Sequence, residues 1–272
     1  MTDGATTKAD GSLLRVVIIP FVSTGNAFKC RRSEFGMIKL LHGDCLDVMK
    51  GIQENSIDMV MTDPPYGTTA CKWDSVVPLN LMWEQLKRVV KPNGAIVMTA
   101  SQPFTTMLIQ SNIKAFKYEW IWQKSRSTGF LQAKYMPMKS HENVLVFVES
   151  GVPTYNGQKT QGHNPTNSAK GYGHSPTFGN SKERDYKGGD TSRNPKTIQP
   201  FKSERGLHPT QKPVPLMEYL ISTYTNEGDT VLDFTMGSGT TGVACKNIDR
   251  KFVGIELDQN WFNVASERIA AA

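Results

Sequence analysis

The apolar run Ile57-Asp58-Met59-Val60-Met61-Thr62 stops at Asp63-Pro64-Pro65-Tyr66, and that stop constrains the fold more than any other stretch of the chain. The run reads as a buried parallel strand. Two consecutive prolines have no N–H for a ladder, so the strand ends there. Asp63 therefore stands at the carboxyl end of a strand, the edge along which open α/β sheets hold their ligands. Its carboxylate is a strong acceptor. The Pro64 carbonyl is a second acceptor beside it, held in place because the proline ring restricts the backbone. Tyr66 adds a flat aromatic face. Two acceptors and one ring make a receptor for a planar group carrying an NH2, such as the exocyclic amine of adenine or cytosine. The same four residues also fit a strand end with a Pro-Pro turn and a half-buried tyrosine. The second half of the chain separates these readings.

Around this stretch, strands and helices alternate. Residues 38–42 form a short apolar strand, and Gly43-Asp44-Cys45 turns it into a helix reaching about Gly51. Residues 79–90 are amphipathic, with Leu79, Met82, Trp83, Leu86, Val89 and Val90 on one face. Pro92-Asn93-Gly94 stops that helix, and 95–100 is the next strand. A helix over 103–112 follows, then a strand over 118–123 that pairs with another at 144–148. After a long interruption, 213–224 is an amphipathic helix and 230–234 a strand. A turn and helix reach Asn247, 251–255 is a strand ending in Glu256, and a last helix covers 259–270. This series predicts an α/β protein, a mostly parallel sheet with helices on both faces.

Two segments depart from the rhythm. Residues 1–36 begin small and polar, and their apolar stretch 13–22 is broken by Arg15 and Pro20 and is too short to span a bilayer. They lack the layout of a signal peptide. They read as a dispensable arm before the first sheet strand. Residues 150–207 are rich in Gly, Asn, Ser, Thr, Pro and Lys. Lys182, Arg184, Lys187 and Arg193 run through them, interleaved with Tyr172, Phe178 and Tyr186. Cations of this kind neutralise phosphates, and aromatics stack or wedge. An ordinary surface loop has a similar composition, but a loop this long in a compact domain is uncommon unless it is functional. It reads as a nucleic-acid contact region.

Charge points the same way. The net charge is +6 and the isoelectric point about 9.0, which favours an anionic partner, although many proteins carry such a charge without binding one. Cys30, Cys45, Cys71 and Cys245 form no close pairs, and the five histidines are scattered. Reduced thiols, a cytoplasmic setting and no metal site are expected.

Asp233-Phe234-Thr235-Met236-Gly237-Ser238-Gly239-Thr240-Thr241 links a strand to a helix through two residues without Cβ. Such a loop admits a ligand close to the backbone, with the following helix's amides directed at it. Glu256 ends the next strand, about 20 residues on, the spacing at which an acid accepts hydrogen bonds from ribose hydroxyls. Gly242 comes one position late for Gly-x-Gly-x-x-Gly, which argues for an adenosine ligand smaller than a dinucleotide. No lysine follows the glycines, so this is not a phosphate loop of the Walker kind.

Together these motifs resemble the amino-DNA methyltransferases that use S-adenosylmethionine. With the catalytic motif first, the recognition region between and the cofactor motif last, the order resembles the beta group, a circular permutation of the usual fold. Gly43-Asp44-Cys45, 141–147 (His-Glu-Asn-Val-Leu-Val-Phe), 208–213 (His-Pro-Thr-Gln-Lys-Pro) and Gly254-Ile255-Glu256 also match. The resemblance covers Met37 to the C-terminus. It implies a Rossmann-like class I methyltransferase fold with a seven-stranded sheet, strands 230–234 and 57–62 adjacent at its centre. It divides the chain into the arm 1–36, a catalytic half 37–149, a target-recognition insert 150–207 and a cofactor half 208–272. Asp63, Pro64, Pro65 and Tyr66 are then the catalytic set. S-adenosylmethionine is expected against Asp233, Phe234, Gly237, Gly239 and Thr240, with Glu256 on its ribose and Asp44 and Cys45 at its adenine. Thr210 and Lys212 approach its amino-acid end, and Asp63 borders it. His42, Trp120 and Trp122 are expected to be structural. Lys182, Arg184, Lys187 and Arg193 are expected to meet double-stranded DNA. The expected product is N6-methyladenine, with N4-methylcytosine the alternative and an RNA methyltransferase or an inactive DNA-binding module behind both. A cognate restriction endonuclease is a candidate partner, the chain acting as a monomer or homodimer in a bacterial or phage-infected cell.

Overall fold

The computed structural model of the chain describes residues 3–7, 13–20, 37–68, 74–171, 174–175, 179–180, 184–204 and 211–272. In chain order the elements begin with strands β1 (Asp3–Thr7), β2 (Leu13–Pro20) and β3 (Met37–His42), helix α1 (Cys45–Met49) and strand β4 (Ile57–Thr62). Helix α2 (Leu79–Val89), strand β5 (Val90–Ala100), helix α3 (Phe104–Ser111) and strands β6 (Phe116–Thr128) and β7 (Lys139–Phe147) follow. Four short strands come next, β8 (Ala169–Gly171), β9 (His174–Ser175), β10 (Gly179–Asn180) and β11 (Arg184–Tyr186). The last part holds β12 (Ile198–Phe201), α4 (Val214–Tyr224), β13 (Thr230–Asp233), α5 (Thr240–Asn247), β14 (Lys251–Glu256) and α6 (Gln259–Ala271).

One sheet of ten strands runs β1-β2-β3-β14-β13-β4-β5-β7-β6-β12. The seven expected strands are its contiguous middle, β3 to β6. The sheet is larger by three strands: β12 adds in parallel to β6, β2 adds in parallel to β3 from Arg15↔Met37 to Pro20↔His42, and β1 adds to β2. The sheet therefore begins with β1 and β2, paired antiparallel from Asp3↔Val17 to Thr7↔Leu13, and not with 38–42. The β-branched run Val16-Val17-Ile18-Ile19 of β2 is strong strand sequence, which outweighs the breaks at Arg15 and Pro20.

The pleat divides the core in two. On one face Met59, Met61, Ala95, Val97 and Val231 pack with α4, α5 and α6. On the other, Val60, Ile96, Met98 and Leu232 pack with α1, α2 and α3. Because neighbouring residues point to opposite faces, a stretch buried on both sides must be apolar, as 59–61 of β4 and 95–98 of β5 are. Helix α2 turns Met82, Trp83, Leu86 and Val89 inward, the face expected from its periodicity. Pro92-Asn93-Gly94 does not precede β5. It bulges inside it, so that the pairing jumps from Ile57↔Val90 to Met59↔Ala95.

At the centre β13 pairs with β4 at Val231↔Met59 and Leu232↔Val60. From β13 the chain crosses through α5 to β14 on one side. From β4 it crosses through α2 to β5 on the other. Connections that diverge in this way open a crevice at the carboxyl ends of the two strands.

Residues 157–196 form a compact unit of their own, narrower than the expected insert; 150–156 and 197–204 belong with the sheet. Inside that unit β8 pairs with β11 and β9 with β10, both antiparallel. Among the described residues, no helix is long and apolar enough to cross a membrane.

Candidate active site

The crevice is built from the two central strand ends. Thr62 closes β4 and donates its hydroxyl to Asp233 Oδ1 at 2.7 Å. Thr241, at the start of α5, donates to Asp233 Oδ2 at 2.6 Å, and the Thr235 amide donates to Oδ1 at 3.1 Å. Asp233 is buried. Burial pushes its carboxyl up to about 6, although all three donors act in the opposite direction. Its oxygens thus brace the strand, the turn and the helix against one another.

The turn that follows has Gly237 at φ 51° and Gly239 at φ 79°, the left-handed region where glycine is favoured. A Cβ on Gly237 would meet nothing within 4 Å, so this position is open. Gly242 has a different reason. A Cβ there would fall 2.4 Å from Ile269 Cδ1 and 2.8 Å from a Phe252 ring carbon, so it lets α5 pack closely on α6 and the sheet. That explains its displacement from the three-glycine spacing. Glu256 closes β14 and accepts from the Gly237 amide at 2.8 Å and the Asp258 amide at 2.9 Å. Burial lifts its carboxyl above the ordinary range against the pull of those amides. Asp44 caps α1 through the Leu46 amide at 2.8 Å. Burial pushes the adjacent Cys45 thiol up to about 12, so it is no thiolate nucleophile. His42 bonds the Leu257 carbonyl and borders the cavity, whereas Trp120 and Trp122 are buried in the core with their indole N–H groups on Tyr224 and the Phe201 carbonyl.

Asp63 stands across the turn from this loop. Its Oδ2 accepts from the Lys212 ammonium at 2.6 Å. Its Oδ1 accepts from the Tyr66 hydroxyl at 2.7 Å and from the Thr99 hydroxyl. Tyr66 also lies stacked on Phe104, centroids 5.3 Å apart. Burial first, then Asp63, raises its phenol well above the ordinary range and keeps it a neutral donor. Lys212 Nζ lies 5.6 Å from the Tyr66 ring centroid and 3.3 Å from Glu142 Oε2. Glu142 in turn pairs with Lys124. Burial opposes the charge on Lys212, yet Asp63 and Glu142 outweigh it and hold the ammonium above its usual range. Burial likewise opposes the charge on Glu142, and Lys212 and Lys124 reverse that. The result is a row of alternating charge, Asp63–Lys212–Glu142–Lys124. Beyond Tyr66, the carboxylate of Asp74 pins the turn through the amides of Gly67 and Thr68, both at 2.9 Å.

A single cavity of about 820 Å³ joins these parts, lined by Asp44, Cys45, Pro64, Pro65, Phe234 and Thr240 as well as Asp63, Tyr66, Gly237, Glu256 and Lys212. The structure thus brings together the catalytic and cofactor residues expected from sequence, apart from Thr210 and Gly239. Thr210 lies outside the described residues, as does Lys182. Gly239 lies behind the turn, where a Cβ would meet Ala265 and Ile269 at 3.0 Å. Arg184 lies in the backbone of β11. Lys187 is exposed on the 157–196 unit. Arg193 donates to the carbonyls of Asp190 and Ser192 at 2.9 and 2.8 Å and to that of Asn164, which makes it a brace within that unit. Sequence reasoning assigned no role to Glu142, Thr99 or Phe104. Glu142 lies in a stretch already matched, but nothing local marks it as Lys212's second partner.

A central α/β crevice with a glycine turn and acidic strand end on one side, and Asp-Pro-Pro-Tyr on the other, defines a nucleoside-cofactor enzyme acting on a planar amine. The family model described as "DNA methylase", for N6 and N4 methyltransferases, matches residues 57–267, and the chain belongs to that family. It is an S-adenosylmethionine-dependent DNA methyltransferase of the amino-modifying kind. Type II methyltransferase M.HpaI of Haemophilus parainfluenzae is 27% identical over 253 residues, covering 85% of this chain and 74% of its own. DNA adenine methyltransferase YhdJ of Escherichia coli K12 is 27% identical over 269 residues, covering 89% and 87%. Among solved structures, the M1.HpyAVI–SAM complex superposes with a TM-score of 0.59 at 27% identity, over 86% of this chain and 99% of that one. The cytosine-N4-specific PvuII DNA methyltransferase has a TM-score of 0.60 at 16% identity, over 85% and 89%, and shares the fold.

Proposed function

We propose that the chain methylates the exocyclic N6 amine of adenine in double-stranded DNA after the base has left the helix. The observation that carries this reading is the Lys212 ammonium held 2.6 Å from Asp63 Oδ2: the carboxylate already binds an N–H donor at the strand end, beside an aromatic ring. A target amine entering there takes over that acceptor, and Lys212 shifts towards Glu142, 3.3 Å away.

The residues present suit the cofactor. Gly237 is open where a ligand must approach the backbone, and each Glu256 oxygen, with one amide bound, keeps a lone pair for a ribose hydroxyl. Glu256 would hold the ribose, Asp44 and Cys45 the adenine, and the turn residues 234–238 the rest of the molecule, with Thr210 and Lys212 towards its amino-acid end. When bound, S-adenosylmethionine supplies an electrophilic methyl group on a sulfonium.

Asp63 and the Pro64 carbonyl accept the two N–H bonds of the target amine. That favours a pyramidal nitrogen with its lone pair free of the ring and aimed at the methyl. Transfer is a direct displacement in which positioning supplies most of the effect. The Tyr66 and Thr99 hydroxyls fix the carboxylate's orientation, and Phe104 backs the tyrosine ring. Asp63 need not take a proton before transfer, since the amine becomes acidic once methylated.

Asp at the head of the motif and the likeness to a relative named as an adenine enzyme support N6-adenine over N4-cytosine. Phosphate contacts fall to Lys182, Arg184 and Lys187. We place the protein in a restriction-modification setting, with a cognate endonuclease as partner, in the cytoplasm, as a monomer or homodimer.

Two measurements test this. Nucleosides from DNA of a methylation-free host expressing the protein should contain N6-methyladenine; N4-methylcytosine instead would reverse the base assignment and leave the mechanism. Asp63→Ala should lower kcat by about 100-fold or more with cofactor affinity little changed, because an acceptor used in the transition state is lost. Near-normal turnover in that variant would overturn the mechanism.

A further inference from the structure

The hairpin that joins β6 to β7 carries side chains that the reaction centre does not use. Strand β7 runs antiparallel to β5 with Ala100 opposite Asn143, so Lys139–Glu142 reach beyond the carboxyl end of β5, the edge on which Asp63 lies. Lys139 bonds the Ser101 hydroxyl, two residues from the Thr99 that holds Asp63. The hairpin therefore stands at the rim of the active-site crevice.

Its tip is ordered by its own backbone. Gly129 turns the chain at φ 89° and a single 3-10 turn covers Phe130–Gln132. The Tyr135 and Met136 amides both bond the Gln132 carbonyl, at 2.9 and 3.1 Å. Yet Phe130 is 77% exposed, Leu131 93% and Tyr135 85%. One exposed apolar side chain is ordinary, but a cluster of large ones on an ordered projection marks an interaction site. The segment 124–139 also holds Lys124, Arg126, Lys134 and Lys139 and no acid. Among the described residues, neither Arg126 nor Lys134 has an ion-pair partner. A second copy of the chain docked here about a twofold axis would oppose cations with the same cations. A polyanion with flat apolar faces inside it satisfies both features.

We infer that this hairpin is a DNA wedge: Phe130, Leu131 and Tyr135 pack against base faces exposed when the target leaves the duplex, and Arg126 and Lys134 meet the flanking phosphates. The inference rests on the DNA-methyltransferase reading above.

The test uses the full chain, S-adenosylmethionine with a labelled methyl group, and unmethylated double-stranded DNA from a methylation-free host. Replacing all three side chains (Phe130→Ala, Leu131→Ala, Tyr135→Ala) should raise KM for DNA about tenfold or more. Calorimetric affinity for the cofactor should not change, which also shows that the variant is folded. Tyr135→Trp should keep KM near wild type where Tyr135→Ala raises it. Charge reversal at Arg126 and Lys134 should flatten the log–log dependence of DNA binding on salt. A triple variant with wild-type KM and kcat overturns the wedge alone. So does a triple variant altered only in its sedimentation, which would make the face a contact between copies. If the wild-type chain transfers methyl groups to no DNA, the DNA reading falls and the wedge with it.

Discussion

At the scale of single residues, the reaction centre is a set of donors converging on one carboxylate. Tyr66 does two jobs there. Its ring lies on Phe104, and its hydroxyl is 2.7 Å from Asp63 Oδ1. Tyr66→Phe keeps the ring and deletes the donor. Steady-state kinetics should then show an unchanged KM for DNA and a kcat lower by about ten- to a hundredfold, the size of one lost hydrogen bond to a charged group; an unchanged kcat would mean that the hydroxyl does not orient Asp63. Glu256 is the corresponding single point on the cofactor side. Glu256→Ala should weaken S-adenosylmethionine binding by about 1–3 kcal/mol in calorimetry, and unaltered affinity would remove it from the ribose. The first of these features was hidden from the sequence. Asp-Pro-Pro-Tyr announces acceptors and a ring, but Lys212 is 149 residues from Asp63, and no local pattern shows that the two meet. Glu142 and Phe104 were hidden for the same reason.

At the scale of elements, local chemistry marked what is local. Apolar runs of four to six residues became strands, α2 buried the face its periodicity indicated, and prolines or glycines lie at most of the boundaries. Failures came where a rule of local geometry met tertiary packing. Pro92-Gly94 reads as a linker but is a bulge held inside β5 by β4 on its flank. Gly242 reads as a misplaced ligand glycine but makes room for Ile269 and Phe252. The seam between β13 and β4 is short, and Asp233 reinforces it from within. This has a pH signature. The folded carboxyl titrates at about 6 against 3.8 unfolded, so in that interval the folded state binds more protons than the unfolded one. Its contribution to stability is therefore greatest below the lower value and declines as pH rises to the upper one, by about 3 kcal/mol in total. Asp233→Asn removes that titration. Denaturant unfolding at pH 4, 5 and 6 should show the wild type losing stability relative to the variant across the series; parallel curves would show that Asp233 ionises freely in the fold.

At the scale of the whole molecule, the sheet extends past the part that holds the site. Strand β2 pairs along β3, and of the residues it pairs with only the last, His42, borders the cavity. A chain starting at Met37 should keep cofactor affinity and methylation rate while melting a few degrees lower, because an edge ladder is lost. A large loss of activity on that truncation would make the N-terminal hairpin part of the working domain.

The permuted order also sets a timetable. Thr62 and Asp233, whose side chains join the two halves of the crevice, are 171 residues apart. On the ribosome, Asp63, Tyr66 and Thr99 emerge early, and β4 has β5 for a neighbour but nothing on its other edge. The glycine turn and Glu256 come only with and after β13, the strand that fills that edge. A chain cut short before them carries the base-binding acceptors with no loop to hold a methyl donor. A product terminated before the glycine turn should therefore transfer no methyl group.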